Sequence, residues 1–241
     1  MNDPFSYSKE NIDAIFKELG KEFRKLNGTQ VPAEITLVGG AAIVIEFGFR
    51  DSTTDIDALI KASSAMKDAI NHVGDKHRFA NGWLNQDFKN TTSYSDKIQR
   101  YSVHYRTFSN IMDVRILPAE YLVAMKLMSF RDYKHDKSDI VGIIAESNIT
   151  KKEIVNAVEN LYSSWDSLSQ PDAARQFIDA IYKVPDKMTL LKDIQNIESE
   201  NSELLKQIDQ KYDILQESNV DDILKKAKKA QERKLLKKVH A

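Results

Sequence analysis

The chain contains no cysteine. Disulfides and thiolate metal sites are therefore excluded, which fits a reducing compartment. It also lacks a charge excess of either sign. With a formal net charge of -1, no global field advertises nucleic acid or membrane. The opening stretch "MNDPFSYSKENIDAIF" has no basic segment followed by an apolar core, so no signal peptide is expected. The longest apolar run, around Leu37 to Phe49, is interrupted by Gly39, Gly40 and Glu46. It is too short and too polar to span a bilayer as a helix. The expected location is the cytoplasm, without membrane attachment. The histidines offer no ligand set either, since His72 and His77 are spaced so that they do not share a helical face.

What is present is a globular composition: 241 residues, 41% hydrophobic and 29% charged. That is enough for one large domain or two modest ones. Ile12, Ile15, Phe16, Leu19, Phe23 and Leu26 recur at helical spacing and predict a first helix over 9–26. "EITLV" then reads as a strand ending at Gly39-Gly40, and "AAIVIEFG" as a short helix. "DIDALI" alternates like a strand, and "SSAMKDAINHV" reads as a helix. The polar stretch 74–96 has no assignment; Trp83 and Phe88 stand in it as packing anchors. "IQRYSVHYRTF" and "IMDVRIL" predict two strands joined by a turn near Ser109-Asn110. Pro118 opens a helix through "PAEYLVAMKLMSF".

From Asp136 onward the pattern is helical only. Thr150 and Glu153 form a capping-box signature, and Pro171 opens another helix. The tail carries Ile194, Ile197, Asn201, Leu204, Ile208 and Leu215 as a narrow seam, the mark of a long helix, a helical hairpin or a coiled-coil partner. Its end, "LKKAKKAQERKLLKKVH", is basic: a solvated helix end or a surface for RNA backbone. The expected fold class is α+β: a small mixed sheet with flanking helices, followed by an all-helical C-terminal part. The composition shift places the division at 1–148 and 149–241.

Three groups of residues carry chemistry. On a strand, Asp55 and Asp57 project from one face while Ile56, Ala58 and Ile60 point to the core. Read alone, the pair fits either an exposed acidic strand or a site for a hard cation such as Mg²⁺, which also takes substrate phosphates. Asp113 sits within an apolar strand and is costly to bury unpartnered. It completes a three-carboxylate metal site if its strand lies beside "DIDALI"; otherwise it pairs with Arg115 or faces water. Gly39-Gly40 lets backbone approach a ligand closely, and the helix opening at Ala41 aims free N–H groups at an anion.

Together these residues resemble the nucleotidyltransferase superfamily, the fold of DNA polymerase beta: a Gly-Gly turn, a short helix, Asp55-Ile56-Asp57 on a strand and Asp113 on a later one. The nearest resemblance is to bacterial nucleotidyltransferase-like proteins of toxin–antitoxin and abortive-infection systems. They share the "GGAA…R…TxDID" stretch, the "PAEYLVAMKLMSFRD" helix and the motif Asp136-Lys137-Ser138-Asp139-Ile140.

The resemblance implies a sheet of nucleotidyltransferase type in residues 1–148. It implies transfer of a nucleoside monophosphate from an NTP to a hydroxyl on tRNA, protein or a small molecule, with Mg²⁺ or Mn²⁺ held by Asp55, Asp57 and Asp113. Gly39, Gly40 and Ala41 would bind the phosphates. Lys126, with Arg131 and Lys134 behind it, would neutralise them. Arg50 either binds phosphate or caps the preceding helix. Asp136 and Asp139 orient Lys126, contact the nucleotide, or simply occupy a helix's first turn. Many active members have serine where this chain has Gly40; Ser52, Thr53 or Thr54 would have to supply that hydroxyl. The alternative is an inactive binding module acting on a partner protein through its C-terminal helices.

Overall fold

Ser8 caps the first helix, α1 (Lys9–Asn27), accepting a hydrogen bond from the Asn11 amide. The apolar stripe of α1 is the buried one, with Ile12, Phe16, Leu19 and Phe23 fully enclosed. The computed structural model describes residues 5–29, 31–212, 214–216 and 219–239, with side chains as far as Lys229. The basic run near the C-terminus therefore lies mostly outside the described side chains.

A five-stranded mixed sheet forms the centre. Its strands are β1 (Ala33–Leu37), β2 (Ile56–Lys61), β3 (Leu84–Asn85), β4 (Val103–Phe108) and β5 (Met112–Ile116), in the order β3-β2-β1-β5-β4. β1 runs antiparallel to β2 and parallel to β5. β2 and β3 pair in parallel, and β4 and β5 form an antiparallel hairpin. Ser109 and Asn110 turn that hairpin with φ of 52° and 53°, as a tight hairpin turn requires.

Between the strands lie α2 (Gly39–Glu46) and α3 (Ala65–His77), with a helical turn, α4 (Ile98–Tyr101), before β4. The strand expected to begin at Ile98 therefore begins at Val103. Ile98 is fully buried and Tyr101 stacks on Tyr121, with ring centroids 4.6 Å apart. A helical turn brings residues three apart to one side, which a strand does not. The unassigned stretch becomes β3 and a 3₁₀ turn over Asp87–Asn90. Trp83 is buried there and donates to Ile70 O at 3.1 Å.

Helices α5 (Ala119–Ser129), α6 (Asp136–Glu146), α7 (Lys151–Tyr162) and α8 (Pro171–Lys183) follow. Thr150 and Glu153 form the reciprocal capping box at the start of α7. α7 packs on α5, and one apolar core runs from Tyr7 to Ile194, continuous across residue 148. The tail forms α9 (Lys187–Tyr212) and α10 (Val220–Val239). Leu205, Val220 and Leu224 make a second, separate cluster against Tyr133. Among the described residues, no helix is long and apolar enough to cross a membrane.

Candidate active site

The phosphate-cradle geometry begins at Gly39. Its φ is +58°, a left-handed conformation that costs glycine little and other residues more. The helix starts there rather than at Ala41: Val38 is the N-cap, and no side chain caps α2. The first amides of α2 therefore lack a side-chain acceptor, as an anion site requires. Ala41 itself is fully buried, so it contributes packing and backbone only.

Gly40 has a different reason to be glycine. A Cβ there would lie 2.5 Å from Thr53 Oγ1 and 3.0 Å from an Arg50 guanidinium nitrogen. Thr53 is buried, and its hydroxyl donates to Asp55 Oδ1 at 3.2 Å. Backbone bonds between Thr53 and Tyr7 in both directions, 2.7 and 3.0 Å, fix that loop against the N-terminal segment. The hydroxyl beside position 40 thus belongs to Thr53 and is spent on Asp55.

Asp55 and Asp57 flank Ile56 and line one cleft with Gly39, Gly40 and Thr54. The cleft has a volume of about 1160 Å³. Asp57 Oδ2 lies 3.7 Å from where a Gly39 Cβ would stand, so the second carboxylate faces the start of α2. Burial pushes the Asp57 pKa up to about 6, with Asp55 and then Asp87 adding to the rise; Lys126 and a hydrogen bond from Asn85 oppose it. Asn85 is the β3 residue paired with Asp57.

Opposite these acids lies a cationic layer. Lys126 Nζ lies 2.8 Å from Asp139 Oδ2 and 3.1 Å from Asp136 Oδ1. Arg50 binds both oxygens of Asp139, at 3.0 and 2.8 Å. Arg131 reaches Asp136 through Nε at 2.8 Å and NH2 at 3.2 Å, and its backbone amide donates to the same carboxylate at 3.1 Å. Three cations thus share two buried carboxylates. Burial alone would lower the Lys126 pKa, but Asp139 and Asp136 outweigh it and hold the ammonium protonated. Burial likewise works against ionised Asp136, yet Lys126 and Arg131 keep its pKa well below the usual carboxylate range.

The placements of the expected residues follow. Arg50, Lys126, Arg131, Lys134 and Asp136 line the cleft. The Arg50 side chain donates to Ser52 O, Asp139 and Thr53 Oγ1 rather than to the last carbonyls of α2. Asp139 is buried behind the cleft, where it orients Arg50 and Lys126.

Asp113 is not brought to the pair. β5 lies beside β1, not β2, and Asp113 pairs with Glu34. The β1 position level with Asp57 is Val38, whose amide donates to Asp57 O. The offset from Glu34 to Val38 is four residues, roughly 13 Å at about 3.3 Å per residue. Asp113 accepts from Thr107 Oγ1 at 3.5 Å and meets His104 Nδ1 at 2.5 Å and Arg115 NH1 at 3.5 Å. No group of three or more metal-ligating side chains exists among the described residues. Asp55 and Asp57 nevertheless suit a cation that takes two carboxylates and completes its shell with phosphate oxygens.

Other cleft residues come from stretches without a sequence signal. Asp87 and residues 90–93 come from the unassigned polar segment, while Ser202 of α9 and Asp221 of α10 come from the tail. The hint for the former was a long polar stretch with two aromatic anchors; nothing pointed to the latter.

A mixed sheet with an aspartate pair facing a glycine-led helix defines a nucleotidyltransferase-type protein. Residues 14–183 match the family described as "Nucleotidyltransferase of unknown function (DUF6036)", and the chain belongs to that family. No curated protein and no solved structure matches the chain. The family match ends with α8, so α9 and α10 lie beyond it.

Proposed function

We propose that the cleft binds a nucleoside triphosphate and transfers its nucleoside monophosphate to a hydroxyl acceptor. The observation that carries this reading is the meeting of three features in one cavity: the uncapped start of α2, the Asp55–Asp57 pair, and the Lys126–Arg131 layer. Such an arrangement offers amide donors and positive charge to phosphates, and carboxylates to a cation. The volume of about 1160 Å³ exceeds the usual range for one small ligand, leaving room for an acceptor beside the nucleotide.

In this reading Asp55 and Asp57 hold Mg²⁺, or Mn²⁺, together with phosphate oxygens; when bound, the ion neutralises phosphate charge. Gly39 and Gly40 amides orient the phosphates, Thr53 fixes Asp55, and Lys126 and Arg131 stabilise negative charge on the leaving group. The acceptor hydroxyl oxygen bonds to the α-phosphorus, the bond to the bridging oxygen breaks, and pyrophosphate leaves. We assign the hydroxyl proton to Asp87, which lines the same cleft. The acceptor is tRNA, protein or a small molecule, and the biological setting is a toxin–antitoxin or related defence pair.

Isothermal titration with ATP, CTP, GTP and UTP in Mg²⁺ tests the site. Binding by the native protein and its loss in Asp55→Ala/Asp57→Ala is the expected result. Equal titration curves for both proteins, or no heat with any nucleotide, overturns the assignment.

One observation favours a second reading. Asp113 lies away from the aspartate pair, and such a cleft also suits a module that binds nucleotide without turning it over, signalling to a partner protein through the C-terminal helices. Labelled nucleotide incubated with total tRNA or lysate separates the two. Incorporation abolished by Asp57→Ala supports the enzyme, and binding without incorporation supports the module.

A further inference from the structure

α9 meets α6 through a buried carboxylate. The Glu198 side chain is 3% exposed. Its Oε1 accepts the backbone N–H groups of Lys137 at 3.0 Å and Ser138 at 3.1 Å, which belong to the first turn of α6. Its Oε2 is buried without a hydrogen-bond partner among the described residues. The His135 imidazole stands nearest to it, with Nδ1 3.8 Å from Oε2. Two amides and the positive end of a helix offset part of the desolvation of a carboxylate, but leave one oxygen under-satisfied.

The first turns of α9 are anchored in the main apolar core through Leu191 and Ile194; beyond Glu198 the attachment is smaller. Asn201, one turn further along, donates to Asp132 O at 2.6 Å. The second apolar cluster has three buried members, Leu205, Val220 and Leu224. The segment 131–138 that receives these contacts is also a wall of the cleft. Arg131, Tyr133, Lys134, His135 and Asp136 all line it. Tyr133 packs against the second cluster from the other side. Ser202 and Asp221 extend the lining onto the two tail helices themselves.

We propose that α9 from Glu198 onward, together with α10, forms a releasable wall of the cleft, latched by Glu198 on the start of α6, and that a polyphosphate entering the cleft loosens the latch. The proposal rests on the cleft being a triphosphate site. The incoming anion competes with Glu198 for His135, which lines the cleft. Release of α9 withdraws Ser202 and Asp221 and widens the cavity on their side, where an acceptor enters. The coupling is reciprocal: a latch that holds harder weakens polyphosphate binding.

The test is hydrogen exchange by mass spectrometry on the full chain, read over 198–212, without and with saturating inorganic tripolyphosphate; binding is confirmed by calorimetry on the same sample. In the native protein, exchange in α9 rises by roughly fivefold or more on binding. In Glu198→Gln, which keeps the shape but removes the charge, the rise disappears. Unchanged or slower exchange in the native protein with tripolyphosphate bound overturns the latch. Where calorimetry shows no binding, the triphosphate reading fails, and Glu198→Ala without ligand then decides: faster α9 exchange supports the latch and unchanged exchange overturns it. Should Glu198→Gln not fold, His135→Ala asks the same question, with a reduced response expected and a native-sized response overturning the proposal.

Discussion

The hydroxyl of Thr53 occupies the space that a side chain on Gly40 would need, with Oγ1 2.5 Å from the position of a Cβ there. Thr53 is buried and β-branched, so it cannot swing aside cheaply. Gly40→Ala is expected to destabilise the fold by about 1–3 kcal/mol, the ordinary cost of overpacking. Adding Thr53→Gly recovers part of the loss, because the two Thr53 atoms go while the Arg50 nitrogen at 3.0 Å remains. Chemical denaturation of the single and double variants measures this.

Asp57 makes the cleft sensitive to acid. Its folded pKa is raised, to about 6, by burial and by Asp55. The folded state therefore holds this proton more tightly than the unfolded chain does. The resulting stability is present below the unfolded pKa near 4 and is lost as pH rises through about 6. Asp57→Asn is expected to raise the melting temperature of the metal-free protein at pH 7, by an effect on the order of 1–2 kcal/mol after discounting for partial exposure. Cation binding runs the other way, since it needs the carboxylate. Mg²⁺-nucleotide affinity falls as pH drops below about 6, which a titration series from pH 7.5 to 5 would record.

Removing Asp139 from the buried network strips Arg50 of its carboxylate and leaves Lys126 with Asp136 alone. Asp139→Asn leaves Arg50 and Lys126 without the carboxylate both now touch, at 2.8 Å each. A loss of about 3–5 kcal/mol is expected, the usual cost of breaking a buried pair. The same network predicts an acid limit. The Asp136 pKa is held low by Lys126 and Arg131, so its stabilisation is present above the ordinary carboxylate range and is lost as pH falls below about 4. Urea midpoints for the native protein and Asp139→Asn at pH 7, and for the native protein at pH 3, check both statements.

Asp113 separates the present geometry from a three-carboxylate site. Its partners, His104 and Arg115, are partly exposed, so Asp113→Asn is expected to cost under about 1 kcal/mol. Nucleotide binding should stay within about twofold of native, whereas Asp55→Asn and Asp57→Asn abolish it. A large binding defect in Asp113→Asn by calorimetry would mean that the strand order or register differs from that described.

The legible parts of the sequence were those governed by local periodicity. Ile12, Phe16, Leu19 and Phe23 announce α1, and the alternation around Asp55-Ile56-Asp57 places two carboxylates together without reference to the rest of the chain. Thr150 and Glu153 announce their helix in the same way. The position of Asp113 was not legible, because it depends on β1 lying between β2 and β5 and on the pairing of Asp113 with Glu34. Strand order is a non-local property. Residues 98–101 misled for another reason: Ile98 and Tyr101 suit a strand by composition, and only the stacking on Tyr121 shows that a helical turn serves them better. The contacts of Arg50 with Asp139, and of Glu198 with Lys137 and Ser138, join parts of the chain that no sequence window spans.

The separation of Leu205, Val220 and Leu224 from the main apolar core has a consequence for how the chain comes apart. Segments without a shared interior need not melt together. On warming, α10 and the part of α9 beyond Ile194 give way while the sheet stays intact, and a single transition temperature does not describe the whole polypeptide. A calorimetric enthalpy larger than its van't Hoff counterpart would be the thermal signature of that uncoupling.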